Sequence, residues 1–244
     1  MIRIAAAMPP FRIGESLRSK QEMSCKHVLN IFDVLSQSHH LCRWRSLRTA
    51  MIASAMLLTA SAAFAGNQKE EAMADSVKST LTKAISDSAP PKPNFNQIDD
   101  RIHYLNWLGE MSGRLKRRIP DFQTRTELLE TVWYESKRAG LDPGLVMGLM
   151  QVESAFRKYA TSVVGARGYM QVMPFWARTV GDGDASKLFQ MQTNLRYGCS
   201  ILRMYLDMEK GDLYMALGRY NGSRGQPDYP NAVLANWKRW EYKG

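Results

Sequence analysis

Apolar residues recur every three or four positions along most of the chain from about residue 99 onward, as in amphipathic helices. Asp142 and Pro143 are typical of a helix start, with an aspartate cap and a proline in the first turn. The helix that follows, Gly144–Val152, is apolar around most of its circumference, which indicates a buried helix. The other predicted helices cover residues 99–117, 124–138, 171–180, 192–209, 212–219 and 229–240.

The same pattern defines the fold class. Thr124 and Glu127 have the spacing of a capping box, which predicts the start of the second helix. No segment alternates apolar and polar residues over a length that would make a convincing strand. We therefore predict a mainly α protein with one catalytic domain at residues 99–244, a size common for single domains.

The N-terminal region has a different pattern. Residues 51–65 form an apolar run that follows several arginines and ends in Ala63-Phe64-Ala65, a small-x-small pattern typical of signal peptidase sites. The run is shorter than a membrane-spanning helix of about 20 residues. We interpret residues 1–65 as an N-terminal extension and cleaved signal peptide, with a retained membrane anchor as the alternative. The extension is long, so translation from Met23 or Met51 is also open.

Residues 66–98 are polar and are interpreted as a linker. Within them Met73, Val77, Leu81 and Ile85 lie four residues apart, which allows a short amphipathic helix before the prolines at 90–93.

Composition excludes several classes of chemistry. The whole chain has 244 residues and a net charge of +10, but residues 66–244 carry 25 basic and 20 acidic residues, a net charge of +5. This modest positive charge suits an exported protein that acts on an anionic polymer, and aromatics do not alternate with basic residues as on a nucleic-acid surface. His103 and Cys199 are the only histidine and cysteine after residue 65, so we expect no metal site, no cofactor and no nucleic-acid partner.

The candidate chemistry lies at the end of the buried helix. Glu153 follows Val152 directly, and a carboxyl that is partly removed from water there would hold a proton near neutral pH. A glycosidase needs such a group, because the leaving oxygen must be protonated as the bond breaks. Taken alone, a glutamate at a helix end is more often a solvated cap.

Glu153 is the first residue of four short sequence blocks that follow one another along the chain. They are Glu153-Ser154, the run Gly168-Tyr169-Met170-Gln171-Val172-Met173-Pro174, Asn194 with Gly198, and Ala216 with Tyr220-Asn221. Together they resemble the family 1 lytic transglycosylases, whose patterns are E-S, G-L-M-Q-x-M-P, N-x-x-x-G and A-x-Y-N. The resemblance covers about residues 130–235 and implies a lysozyme-like fold. Tyr169 stands where the family usually has leucine, and Gly218-Arg219 where small residues are common.

The resemblance also implies roles for residues. Glu153 matches the sole catalytic acid and base, and Ser162 matches a serine that hydrogen-bonds and orients that carboxyl. The remaining matches are to residues that line the sugar groove or lie beside the carboxyl: Gln171, Met173, Tyr220 and Asn221. Asn194 and Gly198 match structural helix positions, and we expect Ser154 to support the turn after Glu153.

The activity that the resemblance implies is cleavage of peptidoglycan between N-acetylmuramic acid and N-acetylglucosamine. One carboxyl would act as acid and then as base, leaving a 1,6-anhydro end. Between Glu153 and Asp182 the chain has no acidic residue, which fits a mechanism without a second carboxylate. A hydrolytic muramidase that uses Asp182 or Asp184, a wall-binding protein without activity and a gap-opener for a secretion machine remain alternatives. We expect a monomer in the periplasm, with loose membrane association allowed.

Overall fold

The computed structural model describes residues 68–86, residue 95 and residues 97–244. The predicted signal peptide at 1–65 lies outside the described residues. The described part is helical, and its extended contacts are two isolated bridges, Thr161 with Arg167 and Arg167 with Val172. The mainly α prediction is confirmed for this part of the chain. Its α-helices are α1 Asp75–Ser86, α2 Ile98–Leu115, α3 Phe122–Arg138, α4 Pro143–Ser154, α5 Pro174–Val180, α6 Met191–Met208, α7 Leu213–Asn221 and α8 Asp228–Trp240, with a short 3-10 helix at Ala185–Phe189 between α5 and α6.

Helix α4 forms the centre of the core, as its apolar circumference predicts. The Asp142 side chain caps it by accepting a hydrogen bond from the Leu145 amide at 3.0 Å. Two glycines on one face allow α8 to pack closely against it. A Cβ at Gly148 would lie 2.6 Å from the Trp237 amide nitrogen, and one at Gly144 would lie 2.9 Å from the Trp240 carbonyl oxygen. This close packing brings the start of α8 to the end of α4.

Two predicted helix starts differ from the structure. Helix α3 begins at Phe122 because the Asp121 carboxylate caps it, accepting from the Thr124 amide at 2.8 Å. Thr124 is therefore in the first turn and is not the cap. Helix α5 begins at Pro174 and not at residue 171, because Gln171 has a left-handed backbone with φ of 47°.

The segment interpreted as a linker contains helix α1. Its Leu81 is buried, and α1 packs against α5 and α6. The Arg138 guanidinium donates to the Ala84 carbonyl oxygen of α1 at 2.5 Å. This part of the predicted linker is thus attached to the helical body. None of the described helices combines the length and the apolar character needed to cross a membrane.

A buried ion pair connects α3 to α6. The Arg196 guanidinium donates to the Glu135 carboxylate at 2.9 Å through Nη2 and 3.1 Å through Nε. Burial raises the pKa of Glu135, and the positive charge of Arg196 opposes that rise. Both side chains are buried, so removing either partner would leave the other charge buried.

Candidate active site

Glu153 lies in the last turn of α4 and is 4% exposed. The helix ends directly after it, because Ala155 and Phe156 both adopt left-handed backbone angles, with φ of 50° and 65°. The Ser154 hydroxyl donates to the Tyr169 carbonyl oxygen at 2.7 Å and lies 3.1 Å from that of Met150. Ser154 therefore fastens the turn after Glu153 to the chain segment that follows, as expected.

Tyr229 holds the carboxyl of Glu153. It lies in the first turn of α8, and its hydroxyl donates to Oε1 of Glu153 at 2.5 Å. Burial raises the pKa of Tyr229 well above its usual range, and the charge of Glu153 raises it further. The phenol is therefore a proton-bearing donor at neutral pH. Tyr229 was not among the residues predicted for the site, because its position in the helix pattern is that of an ordinary core aromatic.

Residues 160–173, which we call the motif loop, are held by Asn194 of α6. The Asn194 amide oxygen accepts from the Met170 amide at 2.8 Å. Its Nδ2 donates to the carbonyl oxygens of Arg167 and Leu188, each at 2.8 Å. Asn194 is fully buried, so these three bonds satisfy its side chain where water cannot. The predicted structural role of this position has a geometric basis.

Two glycines allow the motif loop to approach α6. A Cβ at Gly198 would lie 2.3 Å from the Met170 sulfur, and one at Gly168 would lie 2.4 Å from Nδ2 of Asn194. Gly168 also has a φ of 75°, which side chains other than glycine rarely adopt. The glycines of the second and third sequence blocks thus have a common cause, which is close packing of the loop on α6.

Ser162 and Gln171 are also engaged with the backbone of the motif loop. The Ser162 hydroxyl accepts from the Ala166 amide at 3.1 Å, and the expected hydrogen bond to Glu153 stays a prediction. The Gln171 side chain is buried and donates through Nε2 to the carbonyl oxygens of Ala160 and Gly168, each at 3.0 Å. Both residues therefore contribute to the shape of the loop.

The remaining predicted site residues lie where α5 and α7 meet the loop. Met173 is half-buried and occupies the N-cap position of α5 without a side-chain hydrogen bond. Tyr220 is fully buried, and its hydroxyl donates to the Met170 carbonyl oxygen at 2.8 Å. Burial raises the pKa of Tyr220 well above its usual range, and the charge of Glu153 raises it further. Asn221 is 4% exposed and donates to the Ser223 hydroxyl at 2.9 Å.

The two aspartates considered as a second carboxylate have local partners. Asp182 forms an ion pair with Lys187 and accepts from the Asp184 amide at 3.0 Å. Asp184 accepts from the Ser186 amide at 2.9 Å and so caps the 3-10 helix. Hydrogen bonds to Lys187 and Ser186 respectively are the main causes that lower the pKa of Asp182 and Asp184. Within the described residues, no group of three or more His, Cys, Asp or Glu could hold a metal ion.

The candidate site consists of a buried carboxyl at a helix end, a phenol that donates a hydrogen bond to it, and a glycine-rich loop beside it. These features define its class. Residues 130–233 match the family model described as the transglycosylase SLT domain. This match covers less than half of the chain and confirms the resemblance of that part to the predicted family.

Relatives agree with this assignment over part of their length. The chain is 37% identical over 114 residues to "Transglycosylase" from Enterobacteria phage PRD1, covering 44% of this chain and 42% of that protein. It is 41% identical over 85 residues to "Membrane-bound lytic murein transglycosylase C" from Actinobacillus pleuropneumoniae serotype 5b (strain L20), covering 34% of this chain and 22% of that protein. The chain thus spans less than half the length of these relatives.

A solved structure is also similar in part. An inactive variant of the lytic transglycosylase Slt from Pseudomonas aeruginosa aligns with 71% of this chain and 38% of its own, at 16% identity and a TM-score of 0.43.

Proposed function

We propose that this protein is a peptidoglycan lytic transglycosylase in which Glu153 is the sole catalytic acid and base. The observation that carries the proposal is the buried Glu153 carboxyl at the end of α4, to which the Tyr229 hydroxyl donates at 2.5 Å. It lies within residues 130–233, which match the SLT family model, and it begins the four ordered sequence blocks. The names of the relatives, which include lytic murein transglycosylases, support the same substrate.

The first step is protonation of the leaving oxygen. Glu153 gives its proton to the glycosidic oxygen between N-acetylmuramic acid and N-acetylglucosamine as the bond to the anomeric carbon breaks. The N-acetyl oxygen of the same sugar stabilises the positive charge that develops. The Tyr229 hydroxyl stabilises the resulting Glu153 carboxylate, because a hydrogen-bond donor favours the charged form of an acid.

The second step reverses the role of the carboxyl. The Glu153 carboxylate takes the proton from the C6 hydroxyl of the muramic acid, and that oxygen attacks the anomeric carbon to close a 1,6-anhydro ring. Glu153 is then protonated again for the next cycle. Asp182 and Asp184, with Lys187 and Ser186 as their partners, have no role in either step.

The predicted substrate residues divide into two groups. Ser162 and Gln171 hold the motif loop in the shape that forms one wall of the groove, as their backbone contacts support. Met173 is half-buried at the start of α5 and would contact sugar directly. Tyr220 and Asn221 are nearly or completely buried, so they would support the wall behind Glu153.

A hydrolytic muramidase is the main alternative of the same class. Mass spectrometry of a peptidoglycan digest separates the two, because the transglycosylase leaves 1,6-anhydromuramic acid ends and the hydrolase leaves reducing ends. Reducing muramic acid as the main product would refute the proposed mechanism. Loss of product in Glu153→Gln, with binding to the polymer retained, would exclude a wall-binding protein without activity.

The setting of the activity is part of the proposal. We propose that the protein acts as a monomer in the cell envelope, on its periplasmic side, with peptidoglycan as its partner. The names of several relatives include "membrane-bound", which fits this placement. Fractionation of cells that express the whole chain would test it, and recovery of the protein with the cytoplasm would contradict it.

A further inference from the structure

Gln68 connects the N-terminal segment to the candidate site. It is 5% exposed although it lies seven residues before α1. Its Oε1 accepts two hydrogen bonds, from the Met173 amide at 3.2 Å and from the Trp176 indole Nε1 at 2.9 Å. Gln68 lies outside residues 130–233, the part of the chain that matches the SLT family. The domain's own sequence blocks therefore do not account for this contact.

Both donors belong to the start of α5. The first amides of a helix have no partner within the helix, and Gln68 provides one for the Met173 amide. Trp176 is 2% exposed and packs edge-on against Tyr205 with ring centres 6.4 Å apart. Gln68 thus connects the turn between the motif loop and α5 to the buried Trp176 ring.

The same glutamine also faces Tyr220. Its side chain acts on the Tyr220 hydroxyl in the direction that lowers the pKa of the phenol, against the larger effect of burial. Tyr220 in turn donates to Met170 of the motif loop. Gln68 and Tyr220 thus both bind the end of the motif loop, Gln68 at the Met173 amide and Tyr220 at the Met170 carbonyl oxygen.

An ion-pair network fixes the segment that carries Gln68. Glu71 pairs with Arg219 of α7 at 2.8 Å. Arg219 also pairs with Glu209, which accepts from Arg224 at 2.7 Å. Charged contacts three residues from Gln68 hold this segment beside α7, so its contact with α5 does not depend on the glutamine alone.

We propose that Gln68 is a positioning residue for the sugar groove, setting the place of the Met173 backbone and thereby of the Met173 side chain that meets the substrate. The inference rests on the proposed function. On this inference, the N-terminal segment from Gln68 to α1 contributes to substrate binding by the catalytic domain. In the proposed mechanism Gln68 takes part in neither proton transfer, so its effect is on substrate binding.

The test compares three substitutions in the otherwise complete chain. Gln68→Leu keeps the bulk and removes the acceptor, Gln68→Glu keeps an acceptor oxygen in place, and Lys69→Ala changes the exposed neighbour. KM and kcat are measured on soluble peptidoglycan oligomers of defined length, with Tm measured alongside. We expect Gln68→Leu to raise KM about tenfold, since two hydrogen bonds that fix the groove wall are lost, with kcat little changed. Gln68→Glu should largely restore KM, and Lys69→Ala should match the wild type.

A purely structural role would give a different result. In that case Gln68→Leu would lower Tm and the apparent kcat together at unchanged KM, because fewer molecules would be folded. That outcome, or a KM that Gln68→Glu does not restore, would overturn the inference. If Gln68→Leu does not fold, Trp176→Phe removes one donor from the other side and should raise KM by a smaller factor, and an unchanged KM would count against the proposal.

The proposed function has a separate control. A wild type that forms anhydro product while Glu153→Gln forms none leaves the proposed function intact whichever result Gln68 gives. A wild type that forms no product overturns the proposed function, and the inference about Gln68 with it.

Discussion

Two regions form the candidate site: the contact between α4 and α8, and the motif loop. The side chains of the two regions bind different kinds of partner. Where α4 meets α8, Tyr229 donates to another side chain, that of Glu153. In the motif loop, Ser162 and Gln171 bind backbone groups, and Asn194 binds the loop backbone from α6. In the proposed mechanism, one residue of the shared sequence motif does the chemistry, and several others determine the shape of a loop. The two regions should respond differently to substitution.

Glu153→Gln should have the largest effect on activity. The amide keeps the shape and the hydrogen bond from Tyr229 but has no proton to give, so turnover should fall about 10³-fold or more. Tm should stay near that of the wild type, because the substitution creates no cavity. Release of soluble anhydromuropeptides measures the first effect and calorimetry the second. Substantial residual turnover would remove Glu153 from its assigned role.

Tyr229→Phe tests the other partner of this pair. The substitution removes the hydroxyl and keeps the buried aromatic ring, so we expect activity to fall about 10- to 100-fold with a small change in Tm. The Tyr229 hydroxyl favours the carboxylate form of its partner, and Glu153 must be protonated to start the reaction, so the alkaline limb of the pH–rate profile should move to higher pH in the variant. Tyr220→Phe is the matched control, because its hydroxyl binds the Met170 carbonyl, and it should leave that limb in place. A pH profile equal to that of the wild type in Tyr229→Phe would contradict this account.

Substitutions that disturb the loop should instead lower stability first. Asn194→Ala removes three hydrogen bonds and leaves the Met170 amide and the Leu188 carbonyl oxygen without partners, while the Arg167 carbonyl oxygen still accepts from the Val172 amide; this should cost about 2–4 kcal/mol in the free energy of unfolding. Activity below the new Tm should fall less than in Glu153→Gln. Urea unfolding and activity at low temperature would measure both. A stable but inactive Asn194→Ala would contradict the division between the two regions.

The sequence predicts the local features of the site better than the contacts between residues that are far apart in the chain. Helix α4, its cap at Asp142 and the terminal position of Glu153 follow from local patterns, because caps and periodicity act over a few residues. The bond from Tyr229 to Glu153 spans 76 residues and that from the Met170 amide to Asn194 spans 24, so their partners depend on how helices pack. The family blocks predict that Asn194 and Gly198 are structural, but only the packing of Met170 against both gives the reason. Gln68, outside every block, has no local pattern that would reveal its role.

The smallest predicted effect concerns the network that holds the N-terminal segment. Hydrogen bonds from Arg224 and Arg219 lower the pKa of Glu209 from 4.5 to about 2. Because the folded-state pKa is lowered, its contribution to stability is present above about pH 4.5 and is lost as the pH falls towards 2. Glu209→Gln should therefore lower Tm slightly at neutral pH and flatten the fall of Tm across that range. An unchanged Tm profile would mean that solvent screens these pairs completely.

The most direct test of the central claim is the source of the oxygen in the new glycan ends. Peptidoglycan is digested in water enriched with heavy oxygen, and the products are analysed by mass spectrometry. The account predicts anhydromuramic acid ends with no heavy oxygen, because the C6 hydroxyl of the substrate, deprotonated by Glu153, is the attacking group. Reducing muramic acid ends that carry one heavy oxygen from the solvent would show that water attacks, and would contradict the account.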